Sequence, residues 1–371
     1  MARFVVTLGV LALMVTACGG DDATGGVDDT VIDGGDGGGA ADCTLDQVDG
    51  DLNFYNWTEY MDPALITAFE AEYGIDIVDS YYESNEAMLA QLQAGVNYDL
   101  IVPSDYMVGI MIQENLLAPI GRTVVPNMAN LGDRFTTLPY DPGNEYSAPY
   151  QYGTTGIGVN TSLVGEDFPR SWALLFDPTL TADFPGGVSV LNDPREAMGA
   201  ALEYLGYSLN DTDLAHLQEA ADVISAAKGT IAAFDSDQND EALANGEVSV
   251  AHGYSGAMIV GFGDAANPDD FVFILPEEGA TLWIDNMVVP ANAEHPCSAF
   301  TFMNYLLDAQ NGATLTNFNY YGSPNAAALE FVEPEVVEFY SSAEEGAKLE
   351  VIQDTGDYEI NFTDYLAIAK G

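Results

Sequence analysis

The sequence predicts an α/β protein whose strands alternate with helices to form a parallel sheet. Three observations support this class. Short runs of aliphatic and aromatic residues alternate with segments of helical length, whose apolar positions repeat at helical spacing. Residues that cap or stop helices mark the ends of those segments. The chain has 371 residues, of which 48% are hydrophobic, so it is long enough for two domains with sizeable cores.

The order of elements can be read from residue 52 onward. A strand over 52–55 leads to a helix with Asp62 as N-cap and Pro63 in its first turn, and Gly74 ends that helix. Further strands are predicted over 75–82, 98–102, 187–191, 248–252 and 281–289, and further helices over 85–94, 106–117, 195–205 and 298–307. Such alternation implies right-handed crossovers, and ligands of these sheets bind beyond the carboxyl ends of the strands.

The amino terminus has the pattern of an export signal, predicted over residues 1–17. Arg3 precedes an apolar run over 4–15, which is shorter than the roughly 20 residues that span a bilayer. The motif Val15-Thr16-Ala17-Cys18-Gly19 resembles the lipobox of bacterial lipoproteins, which implies lipidation of Cys18 and membrane anchoring. An ordinary signal peptide with a chance cysteine is the alternative. Residues 18–50, rich in Gly and Asp, are predicted to be a disordered tether.

Two cysteines remain if Cys18 carries a lipid. An exported protein can retain a disulfide, so Cys43 and Cys297 can form a pair. They can equally remain free, because the sequence does not give the distance between them.

The acidic balance of the chain excludes one class of partner. The chain has eight Lys and Arg against 59 Asp and Glu, and removing Arg3 with the signal changes the formal net charge from −51 to −52. Nucleic acid is therefore excluded. Charges on the surface are screened over about 8 Å at physiological salt. The overall acidity thus indicates solubility or salt adaptation, and only carboxylates inside a site can select a cation.

Motifs for catalysis and metal binding are missing from the sequence. His216, His252 and His295 lie far apart and lack the spacing of metal ligands. Neither a GxxxxGK[ST] phosphate loop nor a GxSxG nucleophile motif occurs. We therefore expect no enzymatic activity, no metal and no cofactor.

Aromatic residues and carboxylates follow directly on several predicted strands. They occur in Asn56-Trp57-Thr58-Glu59-Tyr60, Pro103-Ser104-Asp105-Tyr106, Asp193-Pro194-Arg195-Glu196 and Trp283-Ile284-Asp285. Aromatic faces attract cations and pack on methylene groups. A carboxylate buried among them is costly unless a cation neutralises it. An elongated ligand with charged nitrogens separated by CH₂ groups satisfies both conditions.

These residues also have purely structural interpretations. Asp193, Pro194 and Glu196 make a good helix start on their own. Trp57 and Trp283 can belong to the core. Asp285 is harder to explain in this way, because a lone acid in an apolar strand needs a polar environment.

Seven motifs occur in order between residue 54 and residue 325. They are Phe54-Tyr55-Asn56-Trp57-Thr58-Glu59-Tyr60, Tyr82-Glu83-Ser84-Asn85-Glu86, Tyr98-Asp99-Leu100-Ile101-Val102-Pro103-Ser104, Gly156-Ile157-Gly158-Val159-Asn160, Asp193-Pro194-Arg195-Glu196, Trp283-Ile284-Asp285 with Pro290-Ala291-Asn292-Ala293, and Tyr321-Gly322-Ser323-Pro324-Asn325. In order and spacing this set resembles the spermidine/putrescine-binding proteins of bacterial ABC importers, over nearly all of the chain from residue 52.

The resemblance implies a two-lobed periplasmic binding protein of type II, with a sheet flanked by helices in each lobe and two crossing segments. Lobe 1 is expected over 51–157 and 284–329, and lobe 2 over 158–283 and 330–371. The implied function is capture of a polyamine in the interlobe cleft and delivery to ABC permease subunits with their ATPase. A monomer anchored in the periplasm through Cys18 is expected.

The resemblance also implies a set of ligand-binding residues. Rings beside the methylene chain are Trp57, Tyr60, Tyr106, Trp283 and Tyr321. Carboxylates that pair with the amines are Glu59, Asp193, Glu196 and Asp285. Further polar contacts come from Thr58, Ser104 and Gln353.

Two positions depart from the family pattern and bear on the choice of polyamine. Tyr254, the thirteenth residue of the expected ligand-binding set, stands where a larger Trp is common. Ala257 stands where putrescine-preferring members carry Asp. Ala257, together with Thr58-Glu59 and Trp283, favours spermidine over putrescine. Two alternatives stay open, namely a protein of the same fold for another organic cation and a polyamine sensor that docks on a membrane receptor.

Overall fold

A computed structural model describes residues 42–343 and 346–371 of the chain. The predicted signal peptide, Cys18 and the predicted tether as far as residue 41 lie outside the described residues. Within the described ranges, no helix has both the length and the apolar character needed to cross a membrane.

The strands and helices alternate along most of the described chain. The strands are β1 Leu52–Trp57, β2 Ile77–Tyr82, β3 Leu100–Ile101, β4 Ser147–Asn160, β5 Val188–Val190, β6 Ile231–Phe234, β7 Val250–Tyr254, β8 Phe271–Ile274, β9 Ala280–Val288 and β10 Leu349–Glu350. The helices are α1 Pro63–Tyr73, α2 Asn85–Gln93, α3 Asp105–Gln113, α4 Thr161–Val164, α5 Ala173–Phe176, α6 Pro178–Thr181, α7 Pro194–Tyr204, α8 Leu214–Ala227, α9 Asn239–Ala244, α10 Ser255–Asp264, α11 Pro296–Leu306, α12 Ala309–Asn319, α13 Pro334–Ala343 and α14 Glu359–Lys370.

The strands form two parallel groups joined by antiparallel pairs. β1 pairs in parallel with β2 and β3, and β5 pairs in parallel with β6 and β7. The parallel pairing of β1 with β2 and β3 and of β5 with β7 confirms the predicted parallel units, whereas β6 was not predicted. Between them, β9 runs antiparallel to both β3 and β4, and β4 runs antiparallel to β7. The expectation of a wholly parallel sheet is therefore wrong at its centre, where β4 and β9 pair without a crossover helix.

Two hydrophobic clusters account for much of the core. One combines residues from 52–150 with residues from 283–321, and it contains Phe54 and Phe302. The other combines residues from 157–274 with residues from 362–369, and it contains Trp172 and Phe362. The division of the chain into the two expected lobes stays a prediction.

Local capping explains why α1 was predictable. The Asp62 carboxylate accepts a hydrogen bond from the backbone N–H of Ala64 over 2.8 Å, and Pro63 occupies the first turn. Gly74 ends the helix with a φ of 72°, a left-handed conformation that glycine adopts without steric cost.

A disulfide between Cys43 and Cys297, with Cα atoms 5.4 Å apart, joins the start of the described chain to α11. The Asp49 carboxylate adds a second attachment, because it accepts the backbone N–H of Ser298 over 2.9 Å. The predicted end of the tether at residue 50 is therefore too late, since residues 43–50 are already fixed to the body.

Candidate ligand-binding site

A cavity of about 820 Å³ lies beyond the carboxyl ends of β1, β3, β5 and β7. It is lined by twelve of the thirteen ligand-binding residues expected from the sequence, which come from widely separated segments. They are Trp57, Thr58, Glu59, Tyr60, Ser104, Tyr106, Asp193, Glu196, Tyr254, Trp283, Asp285 and Tyr321.

Gln353 is the residue of the expected set that does not line the cavity. Its side chain is exposed, and its backbone N–H donates to Asn210 Oδ1 over 2.8 Å. The adjacent Ile352 is only 7% exposed and lines the cavity instead. The segment after β10 therefore contributes the apolar side chain of Ile352 to the cavity, where the polar side chain of Gln353 was expected.

Three buried aromatic rings and the half-buried ring of Tyr254 form a box inside the cavity. The centroid of Tyr321 lies 5.1 Å from that of Tyr60 and 5.2 Å from that of Trp283, in edge-to-face arrangements. Tyr254 meets Trp283 edge to face at 6.0 Å. Such rings offer π faces that attract a cation and apolar surface that packs against methylene groups.

Trp57 lies at the end of β1 and is fixed by its indole. The Nε1–H donates to the carbonyl of Val102 over 2.9 Å, and the ring packs at 4.4 Å from Tyr82. The indole is therefore held in one orientation at the wall of the cavity.

Asp285 supplies a carboxylate from the middle of β9. It is 5% exposed, and its Oδ1 accepts a hydrogen bond from the Ser104 hydroxyl over 2.7 Å. Asn85 holds Ser104 in turn, through its amide nitrogen and its amide oxygen, each over 3.1 Å. Burial raises the pKa of Asp285 to about 7. An ionised Asp285 is thus costly until a cation neutralises it.

Glu196, in the first turn of α7, is a second buried carboxylate. The hydroxyls of Thr155 and Thr281 donate to its two oxygens, each over 2.9 Å. These bonds favour the ionised form, but burial outweighs them and raises the pKa of Glu196 to about 7.

Asp193 has a double role as N-cap of α7 and as part of the cavity wall. Its Oδ1 accepts the backbone N–H groups of Arg195 and Glu196 over 2.8 Å and 3.0 Å. Burial, followed by repulsion from the Glu196 charge, raises the pKa of Asp193 to about 7. Both the structural and the ligand-binding interpretation of this motif therefore remain compatible with the geometry.

Several carboxylates near the cavity were missed by reasoning from the sequence. Asp240 in α9 is 6% exposed and lines the cavity, and burial raises its pKa to about 6. Glu86 lies beside the cavity residue Tyr106, whose hydroxyl donates to it over 2.7 Å. Burial and then the Asp193 charge raise the pKa of Glu86 to about 7. Glu86 belongs to one of the seven motifs, so a signal existed for it, whereas Asp240 stands in no motif.

The charge of the cavity wall is one-sided. Among the residues that the structure describes, eleven Asp and Glu line the cavity and no Lys or Arg does. In the same part of the chain, no group of three or more His, Cys, Asp or Glu is arranged to hold a metal ion. The wall can therefore neutralise an organic cation with several charged nitrogens.

A deep cavity that joins an aromatic box to buried carboxylates defines a protein that binds small molecules. The chain belongs to the bacterial extracellular solute-binding protein family, whose model matches residues 64–342. The two-lobed α/β fold and the family resemblance read from the motifs are thereby confirmed.

Two curated relatives illustrate the sequence similarity. The chain is 38% identical over 313 residues to a putrescine/cadaverine-binding protein of Pseudomonas aeruginosa. This alignment covers 82% of this chain and 88% of the relative. The chain is 37% identical over 287 residues to the spermidine/putrescine-binding periplasmic protein of Escherichia coli. This second alignment covers 77% of this chain and 80% of the relative.

Solved structures are similar over almost their whole length. A putative spermidine/putrescine ABC transporter from Listeria monocytogenes has a TM-score of 0.81 at 35% identity, covering 87% of this chain and 99% of that one. The TpPotD lipoprotein of Treponema pallidum has a TM-score of 0.73 at 30% identity, covering 86% and 99%.

Proposed function

We propose that this protein is the substrate-binding component of a polyamine ABC importer and that it holds its ligand in the cavity of about 820 Å³. One observation carries the proposal. Residues from widely separated segments line a single cavity that combines an aromatic box with buried carboxylates, and no described Lys or Arg lines it. A chain of methylene groups with ammonium ends fits both parts of that wall.

The energetics favour a ligand with more than one positive charge. The carboxylates of Asp193, Glu196 and Asp285 are all buried, and burial raises each pKa to about 7. Each ammonium that replaces a proton on this set gains a charge-assisted hydrogen bond and removes a desolvation penalty. A neutral or anionic solute gains neither.

Binding without chemistry is the mechanism that fits this wall. Trp57, Tyr60 and Asp285 belong to the proposed lobe 1, whereas Asp193 and Glu196 belong to the proposed lobe 2. A ligand that contacts both sets favours the conformation in which the lobes approach. That conformation is the one presented to the permease subunits.

Spermidine is the polyamine that we propose. Ala257 lines the cavity, and its backbone N–H donates to the Tyr321 hydroxyl over 3.3 Å, so this position supplies no carboxylate for a diamine. Several relatives are named for both spermidine and putrescine, and one is named for putrescine and cadaverine. These names support the polyamine class more strongly than the individual ligand.

Membrane attachment through Cys18 and a periplasmic location complete the proposal. The lipobox-like motif at residues 15–19 supports attachment, and a structurally similar protein is named a lipoprotein. Mass spectrometry of protein from membranes tests it, because a mature chain that begins with acylated Cys18 is expected. A soluble mature chain that begins elsewhere would overturn the anchor.

The test of the ligand is isothermal titration calorimetry with spermidine, putrescine, cadaverine, agmatine and betaine. Saturable binding of spermidine is expected, with weaker binding of betaine, which carries one cationic nitrogen. A lack of heat with every polyamine, from a protein that melts cooperatively, would overturn the proposal. Tightest binding of agmatine or betaine would favour another organic cation.

A further inference from the structure

The segment 351–355, which directly follows β10, passes beside the cavity. Its residue Ile352 is 7% exposed and lines the cavity. Ile352 belongs to a hydrophobic cluster that also contains Tyr82 and Tyr106, two rings of the cavity wall. An apolar side chain from near the carboxyl terminus therefore closes the wall next to these rings.

Asn210 holds the backbone on both sides of Ile352. Its amide nitrogen donates to the carbonyl of Val351 over 3.0 Å, and its amide oxygen accepts the backbone N–H of Gln353 over 2.8 Å. Asn210 itself does not line the cavity. Its contacts therefore fix the segment without touching a ligand.

Arg195 ties the same segment to the start of α7. The side chain is 1% exposed, and its Nη1 donates to the carbonyl of Gln353 over 3.0 Å and to the Glu359 carboxylate over 2.8 Å. Its Nη2 donates to Asn210 Oδ1 over 2.9 Å. Because Asp193 is two residues before Arg195, the segment lies at the side of the cavity that Asp193 occupies.

Tyr106 connects this side of the cavity to Ile352, because both residues belong to one hydrophobic cluster. The guanidinium carbon of Arg195 lies 5.5 Å from the ring of Tyr106, which bonds to Glu86. Asp193, Tyr106 and Ile352 thus share one end of the cavity, here named the Asp193 end, and Glu86 lies beside it.

We propose that Ile352 is a specificity-determining residue that forms the apolar wall of the Asp193 end and limits the length of the amine that fits. Asn210 and Arg195 are the positioning residues that hold this wall. The inference rests on the proposed polyamine-binding function. A side chain that packs against buried rings and is held by hydrogen bonds on both flanks cannot withdraw without breaking them. A ligand longer than the cavity must therefore displace a fixed wall.

The test is calorimetric titration with the α,ω-diamines from propane-1,3-diamine to octane-1,8-diamine, and with spermidine. The unsubstituted protein is expected to show an affinity optimum at one chain length. Ile352→Ala is expected to move that optimum to a longer diamine. The ratio of the affinities for two diamines that differ by one methylene group is expected to change by about fourfold, which corresponds to ~0.8 kcal/mol. Gln353→Ala is the matched control, because its exposed side chain should leave the profile unchanged.

Asn210→Ala separates positioning from contact. It should flatten the dependence of affinity on chain length while the tightest binding changes less, because it loosens the wall and removes no group from the cavity. If Ile352→Ala does not fold, Ile352→Val should give a smaller shift in the same direction, with folding checked by thermal melting.

Two results overturn the inference in different ways. An unchanged length profile in Ile352→Ala, or in Ile352→Val where only that variant folds, would remove Ile352 from specificity while leaving polyamine binding intact. A folded, unsubstituted protein that binds neither spermidine nor any diamine would overturn the proposed function, and the wall with it.

Discussion

At the scale of one residue, Asp285 shows how the fold positions a buried carboxylate at the cavity before a ligand binds. It stands in β9, where the Ser104 hydroxyl donates a hydrogen bond to it over 2.7 Å. Apart from the buried Asn286, its neighbours along the strand are buried apolar residues, including Met287 and Val288. The sequence already set this acid apart, because a carboxylate in an apolar strand needs a polar partner. The structure adds that the carboxylate faces the cavity.

Asp285→Asn is predicted to weaken spermidine binding, since an amide cannot neutralise an ammonium. Loss of a buried charged hydrogen bond costs about 2 kcal/mol or more, which is about a 30-fold rise in Kd. The unliganded variant should melt no lower than the parent, because the costly buried charge is gone. Titration calorimetry and thermal melting check both effects.

Asp269→Asn is the control for this change, since Asp269 is exposed and outside the cavity. A change in Kd of less than twofold in Asp285→Asn would contradict the assigned role.

The raised pKa values of Asp193, Glu196 and Asp285, each about 7, predict a pH dependence. Unfolding lowers them towards the usual value of about 4. Between about pH 4 and pH 7 the folded protein therefore binds more protons than the unfolded one, so the free energy of unfolding falls as pH rises. Melting of the unliganded protein should show a lower Tm at pH 8 than at pH 5.5.

Ligand affinity should change with pH in the opposite direction. An ammonium binds the ionised carboxylates, so spermidine affinity should rise from pH 5.5 to pH 8, and protons should be released on binding near pH 7. Glu196→Gln, which keeps the shape of the side chain, should reduce the proton release. Heats that do not depend on the ionisation enthalpy of the buffer would contradict this prediction.

Ile352 lines the cavity where Gln353 was expected, and reasoning from the sequence could not predict this difference. Strand ends and caps are local signals, so Trp57, Asp193 and Glu196 could be placed in advance. The direction of a side chain in 351–355 depends instead on bonds from Arg195 and Asn210, which are distant in sequence. No local pattern contains that information.

At the scale of elements, β4 is a strand that was not predicted from the sequence. Gly153, Gly156 and Gly158 interrupt its 14 residues, and glycine is unfavourable inside a strand. The structure shows what these glycines allow, because a Cβ at Gly153 would lie 2.5 Å from the Trp283 ring, and one at Gly156 would lie 2.5 Å from the carbonyl of Ile274. Close packing across strands therefore overrides local propensity.

Gly153→Ala is predicted to displace Trp283 and so to disturb the aromatic box without changing any charge. Overpacking of this kind costs roughly 1–3 kcal/mol. Spermidine affinity and the tryptophan fluorescence maximum should both change. Gly263→Ala in α10 is the control, because nothing lies within 4 Å of the added methyl group. Unchanged affinity in Gly153→Ala would argue against a role for the position of this ring.

The Cys43–Cys297 bond links elements that lie 254 residues apart. Its removal by Cys43→Ser with Cys297→Ser is predicted to lower stability by about 2–4 kcal/mol, chiefly because the unfolded chain gains freedom. Thermal melting measures this loss. Spermidine affinity should stay within twofold, since neither cysteine lines the cavity. An unchanged Tm would mean that the bond adds nothing to the attachment made by Asp49.

At the scale of the whole molecule, the same acidity has two different consequences. Most of the 59 Asp and Glu lie outside the cavity, where salt screens them beyond about 8 Å. The carboxylates in the cavity are buried among aromatic rings and are screened far less. Composition could therefore exclude nucleic acid, but it could not identify the ligand, because that depends on which few acids converge.

The two-lobed architecture was predictable because its motifs keep their order along the chain, from Trp57 to Tyr321. The exact pairing of the central strands was not, since antiparallel pairing of β4 with β9 is a contact between distant segments. The site could thus be anticipated from the strand ends that carry it, whereas the segment that closes it at Ile352 could not.

A crystal structure of the protein grown with spermidine tests the central claim most directly. We predict electron density for the polyamine inside the aromatic box, with ammonium nitrogens about 2.7–2.9 Å from the carboxylate oxygens of Asp285 and of Glu196 or Asp193. Spermidine bound at another surface, with these carboxylates untouched, would contradict the account.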